Sequence, residues 1–235
     1  CIKSVQTVAD EVIVLDSFST DKTIEICKRL NVRVIQRNWQ GYAASKNYLN
    51  KQAKNSYLLS IDADEELSTE LQQSILKIKS EGLLGVYDFS RLTNYCGGWI
   101  RYSGWYPDIK TRIFPKETSK WIGDVVHETL SYPENLSKNI LNGELYHYSY
   151  VSRSQHKQRA DKYSLLTAKK YHQKGKKAFF FTPFLSAIGR FVSMYFIKIG
   201  FMDGINGFKI AYISAGSNYV KYTELRRLNR EKRDS

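Results

Sequence analysis

The sequence contains few cysteines and prolines and has no long uninterrupted apolar run. Its 235 residues include three cysteines and four prolines. Cys1, Cys27 and Cys96 are an odd number at unrelated spacings, which fits neither a disulfide framework nor a paired CxxC metal site and favours a reducing compartment. With 42% hydrophobic residues and so little proline, the chain is neither disordered nor collagen-like. Its length suits one sizeable domain with an appendage, or two small domains.

Acidic residues are scarce beyond residue 150. Residues 151–235 hold 18 of the 36 Lys and Arg but only 5 of the 23 Asp and Glu, so the net charge of +13 belongs to this tail. A basic excess is typical of nucleic-acid or anionic-surface binding modules. A single-strand binder spreads aromatic and basic residues along an exposed groove, whereas the aromatic residues here cluster in apolar stretches such as FFF. We therefore expect no nucleic-acid partner.

The start of the given sequence does not show the charged, apolar and cleavage regions of a secretory leader in succession, so it gives no evidence of secretion. The first residue is Cys1, and residues 1–8 have the pattern of a helix interior. We expect that the natural N-terminus precedes this sequence.

The order of apolar runs and turn residues predicts an α/β fold. Strands are predicted at 11–15, 32–36, 57–61 and 86–92, and helices at 23–30, 42–53 and 68–80, which together favour a parallel sheet covered by helices. Residues 95–150 are interpreted as loops and short strands with aromatic faces. A long helix is predicted at 155–171.

The apolar segment at 178–201 is too interrupted to be a membrane span. Lys177 and Arg190 bracket only 12 uncharged positions, and Pro183 lies among them, whereas a span needs about 20 apolar residues. Aromatic residues flanked by cations fit a segment lying in the interface of an anionic membrane. The alternative is a core-packing helix with a solvated basic face.

Two acidic segments follow predicted strands. Asp62-Ala63-Asp64 comes at the end of the third strand, where open α/β sheets bind ligands, and two carboxylates at i and i+2 of an extended chain suit Mg²⁺ or Mn²⁺. The alternative is that these acids only begin a helix, a role assigned to Glu65 and Glu66. Asp16 precedes a hydroxyl-rich loop suited to a ribose or base, in which Asp21 is interpreted as a helix cap.

These segments in order resemble the family 2 glycosyltransferases, which have the GT-A fold. The motifs are DSFSTDKT after a strand, GYAASKN, and DAD, with Asp16 and Asp62 46 positions apart. The resemblance continues through the segments GWYPD, TRIF, VHE and YHY, and looks like the subgroup that adds β-glucose to a heptose of the lipopolysaccharide inner core. The family's first strand is missing from this sequence.

The resemblance implies roles for individual residues. Asp16 would bind the uracil edge and Asp62 the ribose or the metal-bound diphosphate. Lys46 would bind the nucleotide or diphosphate, or else be an exposed helix lysine. Asp64, with Asp62, would bind Mn²⁺ or Mg²⁺. His147 could add an imidazole, although a histidine flanked by aromatic residues is more often a packed one. The general base would be Glu128, with alternates Asp124 and Asp108. A stacking surface for the sugar acceptor, called the acceptor wall, or else a small separate core under the long loop, would be formed by Trp99, Trp105, Tyr106 and Trp121.

The resemblance thus implies a Rossmann-like GT-A catalytic domain at 1–150 and a basic, helical, membrane-associating tail at 151–235. The predicted enzyme is an inverting glycosyltransferase that moves a sugar, glucose by resemblance, from a UDP-sugar to a lipid-linked saccharide. It would be cytoplasmic and peripheral on the inner face of the bacterial inner membrane. The alternatives are a basic binding module and a sugar-phosphate nucleotidyltransferase, although the latter normally needs a Gly-rich phosphate loop that is not seen here.

Overall fold

The computed structural model describes residues 1–124 and 127–234 and shows a mixed α/β fold. A π-helical turn (Ser193–Ile197) and a 3-10 turn (Gly200–Asp203) join the last two α-helices. The elements in chain order are α1 (Ile2–Gln6), β1 (Ile13–Asp16), α2 (Thr23–Arg29), β2 (Arg33–Gln36), α3 (Tyr42–Gln52), β3 (Tyr57–Leu59), β4 (Glu65–Leu67), α4 (Thr69–Glu81), β5 (Val86–Tyr95), β6 (Gly98–Ile100), β7 (Asp108–Pro115), β8 (Lys120–Asp124), β9 (His127–Ser131), β10 (Lys138–Tyr150), α5 (Arg153–Gln173), α6 (Thr182–Val192) and α7 (Gly204–Asp234).

The chain forms two compact units. Unit 1 comprises Cys1–Arg91 and Asp108–His147, and unit 2 comprises Leu92–Pro107 and the chain from Tyr148 onward. Strands β5 and β10 both continue from one unit into the other. The domain boundary that the sequence predicts at residue 150 is a single cut in the chain, and it stays a prediction.

Strand pairing in unit 1 corrects the expectation of a parallel sheet. Strands β1 and β2 do pair in parallel, but β3 pairs antiparallel with β7, and β7 antiparallel with β5. The larger sheet has the order β3-β7-β5-β10-β4, with β6 beside β5. The physical reason is that β3 pairs with a strand from the later, aromatic section of the chain, a long-range pairing that the local pattern around β3 does not encode.

Helix α4 shows how the core of unit 1 forms. Ser68 caps it by accepting a hydrogen bond from the Leu71 amide at 3.2 Å, as predicted, and the apolar side chains of Leu71 and Ile75 are buried. Strand β10 passes so close that a Cβ on Gly143, at φ +95°, would lie 2.3 Å from the Leu71 nitrogen. The rest of this core is Val5, Val8, Leu67, Tyr87, Phe89, Ile113, Leu141 and Leu145.

Unit 2 is built on the helices α5, α6 and α7, with α5 and α6 both in contact with α7. Its core joins Tyr95, Ile100, Met194, Ile210 and Ala211. The Asp203 carboxylate accepts hydrogen bonds from the amides of Arg101 and Tyr102 and from the Ser103 hydroxyl, at 2.9 to 3.2 Å. This carboxylate fixes the loop after β6 to the turn before α7.

An apolar stripe of α6 faces outward. Phe181, Leu185 and Ile188 are each more than 60% exposed, and Val192 continues the same row at 39%. Their spacing of four, three and four residues places them on one face of a helix. Within the described residues no single helix is long and apolar enough to cross a membrane, although Thr182–Ile197 and Gly200–Glu231 pass that test as a pair bent by 74°.

Candidate functional site

Asp16 lies at the end of β1, as the sequence predicted, and it is buried. Its carboxylate accepts hydrogen bonds from the Ser19 amide at 3.1 Å and from the Gln36 side chain at 3.0 Å. Burial raises the pKa of this carboxyl, but the hydrogen bonds from Ser19 and Gln36 outweigh it, and the net pKa is below the usual value. The side chain is thus a charged group fixed at the strand end. Its contact with uracil stays a prediction.

The segment Asp62-Ala63-Asp64 is a turn rather than an extended strand end. Strand β3 already ends at Leu59, the Glu65 amide donates to the Asp62 carbonyl at 3.0 Å, and the Asp62 amide donates to a Glu65 carboxylate oxygen at 3.0 Å. The expectation that the two aspartates project to one side of an extended chain is therefore wrong. The turn gives each carboxylate its own surroundings.

Asp62 lies between two cations. Lys46 Nζ is 3.0 Å from one of its oxygens, and Arg112 Nη2 is 2.8 Å from the other. Burial raises the pKa of the carboxyl, but the positive charges of Arg112 and Lys46 outweigh it and hold the pKa well below the usual range. Asp62 is consequently a carboxylate at all ordinary pH values.

Glu65 does not have the role that the sequence predicts. The sequence pattern predicts it at the start of a helix, but it lies on β4, is fully buried, and is bound by Arg112 and by Arg91, the latter at 3.1 Å. Arg91 in turn donates to Asp108 at 2.6 Å. The available signal was the arginines themselves, because an arginine inside an apolar strand such as β5 or β7 needs an acidic partner.

Asp64 faces His147 on β10. The His147 Nε2 atom lies 3.3 Å from an Asp64 carboxylate oxygen, and this hydrogen bond is the main reason that the pKa of the Asp64 carboxyl is below its usual value. The His147 Nδ1 atom is buried and has no protein hydrogen-bond partner. Asp64 itself is half exposed.

The pair of Asp64 and His147 fits a divalent cation that completes its shell with substrate phosphates. Asp62, the other predicted metal ligand, already has both carboxylate oxygens bound by Lys46 and Arg112. Mg²⁺ characteristically takes one or two protein carboxylates together with phosphate oxygens, and carboxylates also suit Mn²⁺. Among the described residues there is no group of three or more His, Cys, Asp or Glu that could hold a metal by themselves. A cation at this turn would thus depend on the nucleotide for its remaining ligands.

Glu128 lies on β9 and shares Lys46 with Asp62. The Lys46 Nζ atom is 3.0 Å from Glu128 Oε1 and 4.5 Å from the centre of the Trp121 ring. The next residue, Asn47, donates to the Trp121 carbonyl at 2.7 Å and accepts from the Trp121 amide at 2.9 Å. The GYAASKN motif therefore attaches α3 to β8 and brings its lysine to the predicted base.

Of the two alternative candidates for the base, only Asp108 has a side chain within the described part of the structure. Asp108 is bound by Arg91 and, at 2.9 Å, by Lys110. Burial raises the pKa of Asp108, yet Lys110 and Arg91 outweigh it and keep the pKa below its usual value. The side chain of Asp124 lies outside the described part of the structure.

The four aromatic residues offered as an acceptor wall divide between the units. Trp121 belongs to unit 1, where it is buried against Phe114 in a small core with Val86 and Leu130. Trp99, Trp105 and Tyr106 belong to unit 2, where Trp105 packs edge-on against Tyr95. Trp121 and Trp105 thus act as core residues within their own units.

The family model described as glycosyl transferase family 2 matches residues 1–132, which is more than half of the chain. The chain belongs to glycosyl transferase family 2. The resemblance, the GT-A fold class and the enzyme class predicted from the sequence are thereby confirmed. Membership of this family also decides against the basic binding module and the sugar-phosphate nucleotidyltransferase.

Relatives of this family 2 glycosyltransferase cover nearly its whole length. An uncharacterized glycosyltransferase of Rickettsia prowazekii is 32% identical over 238 residues, which is 97% of this chain and 82% of the relative. The lipopolysaccharide core biosynthesis glycosyltransferase LpsC of Rhizobium meliloti is 24% identical over 237 residues, 94% of this chain and 87% of LpsC. A crystal structure of S. aureus TarS in complex with UDP is 15% identical, with a TM-score of 0.43, over 98% of this chain and 86% of that one.

Proposed function

We propose that this glycosyltransferase moves a sugar, glucose by the resemblance, from a UDP-sugar to a lipid-linked saccharide of the lipopolysaccharide core, with inversion at the anomeric carbon. The observation that carries the proposal is that Lys46 lies between two carboxylates with different surroundings. Asp62 is bound by two cations in the turn after β3, whereas Glu128 lies on β9, which pairs with β8. The similarity to LpsC supports a core saccharide as the acceptor.

The proposed reaction is a single displacement. The oxygen of an acceptor hydroxyl forms a bond to the anomeric carbon, the bond from that carbon to the diphosphate breaks, and UDP leaves with the electron pair. The hydroxyl proton passes to the Glu128 carboxylate. A hydroxyl is a poor nucleophile, and a carboxylate within hydrogen-bond reach contributes ~10²–10⁴-fold to such a step.

The leaving diphosphate requires positive charge, and this chain has groups that fit the need. Asp64 and His147 would hold Mn²⁺ or Mg²⁺, which would supply charge neutralisation without proton transfer when bound. Asp16, fixed at the end of β1, would bind the nucleotide base, and Asp62 the ribose or the diphosphate region.

The base assignment is tested with Glu128→Gln. We expect transfer from UDP-glucose to a heptose-terminated core saccharide to fall by ~10²–10⁴-fold, while UDP affinity measured by calorimetry stays the same. Glu117→Gln, an exposed glutamate of the same unit, is the control and should remain fully active. An active Glu128→Gln enzyme would move the role to Asp124 or Asp108.

The metal assignment has its own calorimetric test. UDP should bind more weakly when Mn²⁺ is replaced by chelator, and Asp64→Asn should abolish that difference, because the variant lacks the carboxylate ligand. Asp10→Asn, on the surface of unit 1, should behave as wild type. Equal UDP affinity of the wild type with metal and with chelator would overturn the assignment.

We further propose that the enzyme is peripheral on the inner face of the bacterial inner membrane. The support is the exposed stripe of Phe181, Leu185, Ile188 and Val192 in a tail that carries the whole excess of positive charge. A contiguous exposed apolar patch marks an interaction site, and cations next to aromatic residues favour anionic lipid.

Vesicle sedimentation tests this location. The wild type should bind phosphatidylglycerol vesicles more tightly than phosphatidylcholine vesicles, and Leu185→Ser with Ile188→Ser should weaken both. Leu84→Ser removes an equally exposed leucine from unit 1 and should have no effect. Unchanged sedimentation of the double variant would contradict the proposal.

A further inference from the structure

We infer that Lys46 is a positioning residue for the base Glu128, and does not act simply as a ligand of the donor diphosphate. The inference rests on the proposed function, because it takes Glu128 as the group that receives the acceptor proton. It assigns to the lysine of the GYAASKN motif a role on the acceptor side of the reaction.

The contacts of the lysine ammonium are the first argument. Nζ lies 3.0 Å from Glu128 Oε1 and 3.0 Å from Asp62 Oδ1, two carboxylates on different elements. Its remaining side faces the Trp121 ring at 4.5 Å, a favourable contact for a cation. An ammonium group has three donors, and here two of them are directed at carboxylates. The ammonium thus connects the β9 carboxylate to the acidic turn.

The way in which the lysine is held is the second argument. A lysine side chain loses up to about 2 kcal/mol of conformational entropy when it is ordered, so an exposed lysine seldom fixes its partner. The Lys46 side chain is only 15% exposed. Its neighbour Asn47 makes two hydrogen bonds to the Trp121 backbone, at 2.7 and 2.9 Å. These bonds fix the start of the side chain, and the Trp121 ring supports its end.

The burial of both partners is the third argument. The side chains of Lys46 and Glu128 are 15% and 19% exposed, so water screens their attraction less than it screens a surface pair. The oriented carboxylate must accept a proton in the transition state, and a misplacement of about 1 Å at such a group can cost about 10²-fold in rate. Loss of Lys46 should therefore lower the rate of the chemical step.

The test separates positioning from donor binding by the kinetic constant that changes. Lys46→Met keeps the length and the contact with Trp121 but removes the charge. With UDP-glucose and a heptose-terminated core saccharide, we expect kcat to fall roughly tenfold to a hundredfold, with the KM for UDP-glucose within about threefold of wild type. Lys46→Arg, whose guanidinium can also span two carboxylates, should recover most of the rate. Lys51→Met, on the exposed side of the same helix, is the control.

The double variant Lys46→Met with Glu128→Gln decides whether the lysine acts through the base. If it does, the double variant is no slower than Glu128→Gln alone, because the effects of residues that act as a unit do not add. A rise in KM of tenfold or more with unchanged kcat, together with a matching loss of UDP affinity, would overturn the inference and make Lys46 a donor ligand.

Failure of the proposed function has a different signature. A fully active Glu128→Gln enzyme would overturn the base assignment and the inference with it. A wild type that transfers no sugar would overturn the proposed function, on which both of them rest. An inactive Glu128→Gln enzyme next to a fully active Lys46→Met enzyme would overturn the inference alone.

Discussion

His156 should make unit 2 sensitive to mild acid. The residue lies on α5 with only 5% of its surface exposed, and its Nδ1 atom is 3.1 Å from the Tyr95 hydroxyl. The rings of Tyr95, Trp105 and Tyr150 surround it at centroid distances of 4.8 to 5.6 Å. Because burial disfavours the charged imidazolium, the pKa of His156 is lowered from 6.5 to about 4.

The sign and size of the effect follow from linkage. Between pH 6.5 and about 4 the unfolded state binds a proton at this residue that the folded state does not, so the free energy of unfolding falls as the pH is lowered through this window. The full pKa shift of His156 corresponds to about 3 kcal/mol of the free energy of unfolding, of which about 2 kcal/mol is lost between pH 7 and pH 5. Below the folded pKa this residue adds no further loss.

Urea unfolding from pH 7 to pH 4, followed by tryptophan fluorescence, measures the slope. His156→Gln should be less stable at pH 7 but should lose about 2 kcal/mol less than the wild type on acidification to pH 5. Aspartates with lowered pKa, such as Asp62, lose their contribution in both proteins, so they cancel in the difference. Equal slopes in wild type and His156→Gln, or an NMR titration of His156 near pH 6.5, would refute the reasoning.

Three further substitutions test the packing and the buried charges of unit 1 by urea unfolding. Glu65→Gln removes the charged partner of Arg112 and Arg91, and a broken buried pair costs about 3–5 kcal/mol; a loss below 1 kcal/mol would show that the arginines are not dependent on this carboxylate. Gly143→Ala should lose about 1–3 kcal/mol more than Gly82→Ala, because both glycines have a positive φ but only Gly143 has Leu71 within reach of the new methyl group. Asn47→Ala leaves the Trp121 backbone without its two side-chain partners, at a cost of about 1–3 kcal/mol; if stability is unchanged, α3 is held to β8 by other contacts.

The elements with strong local signals were predictable from the sequence. The helix capped by Ser68 was placed to within a residue, and Asp16 ends the first strand, because capping and the strand pattern depend on near neighbours. Asp21 was expected as the helix cap, but the cap position of α2 is Lys22, and the Asp21 carboxylate accepts a hydrogen bond from the Thr23 amide at 2.9 Å from one residue further back.

The features that the sequence did not predict all depend on contacts between segments that are far apart in the chain. Strand β4 has only three residues, and its Glu65 looks like a helix-start acid until Arg112, 47 positions away, is placed beside it. Lys46 and Glu128 are 82 positions apart, so the motif that contains the lysine says nothing about its partner. The antiparallel pairing of β3 with β7 is of the same kind.

The ionic trio of Glu65, Arg91 and Arg112, in which Glu65 and Arg112 are buried and Arg91 is partly buried, limits how the sequence of this enzyme can change. An apolar trio of similar volume can be as stable as a buried ionic one, so stability alone does not require these residues. Such a replacement would, however, remove the arginines from Asp62 and Asp108. Selection for heat stability that replaced the trio with apolar residues would therefore give a stable protein that has lost transferase activity. Stability is kept only when the three residues are exchanged together.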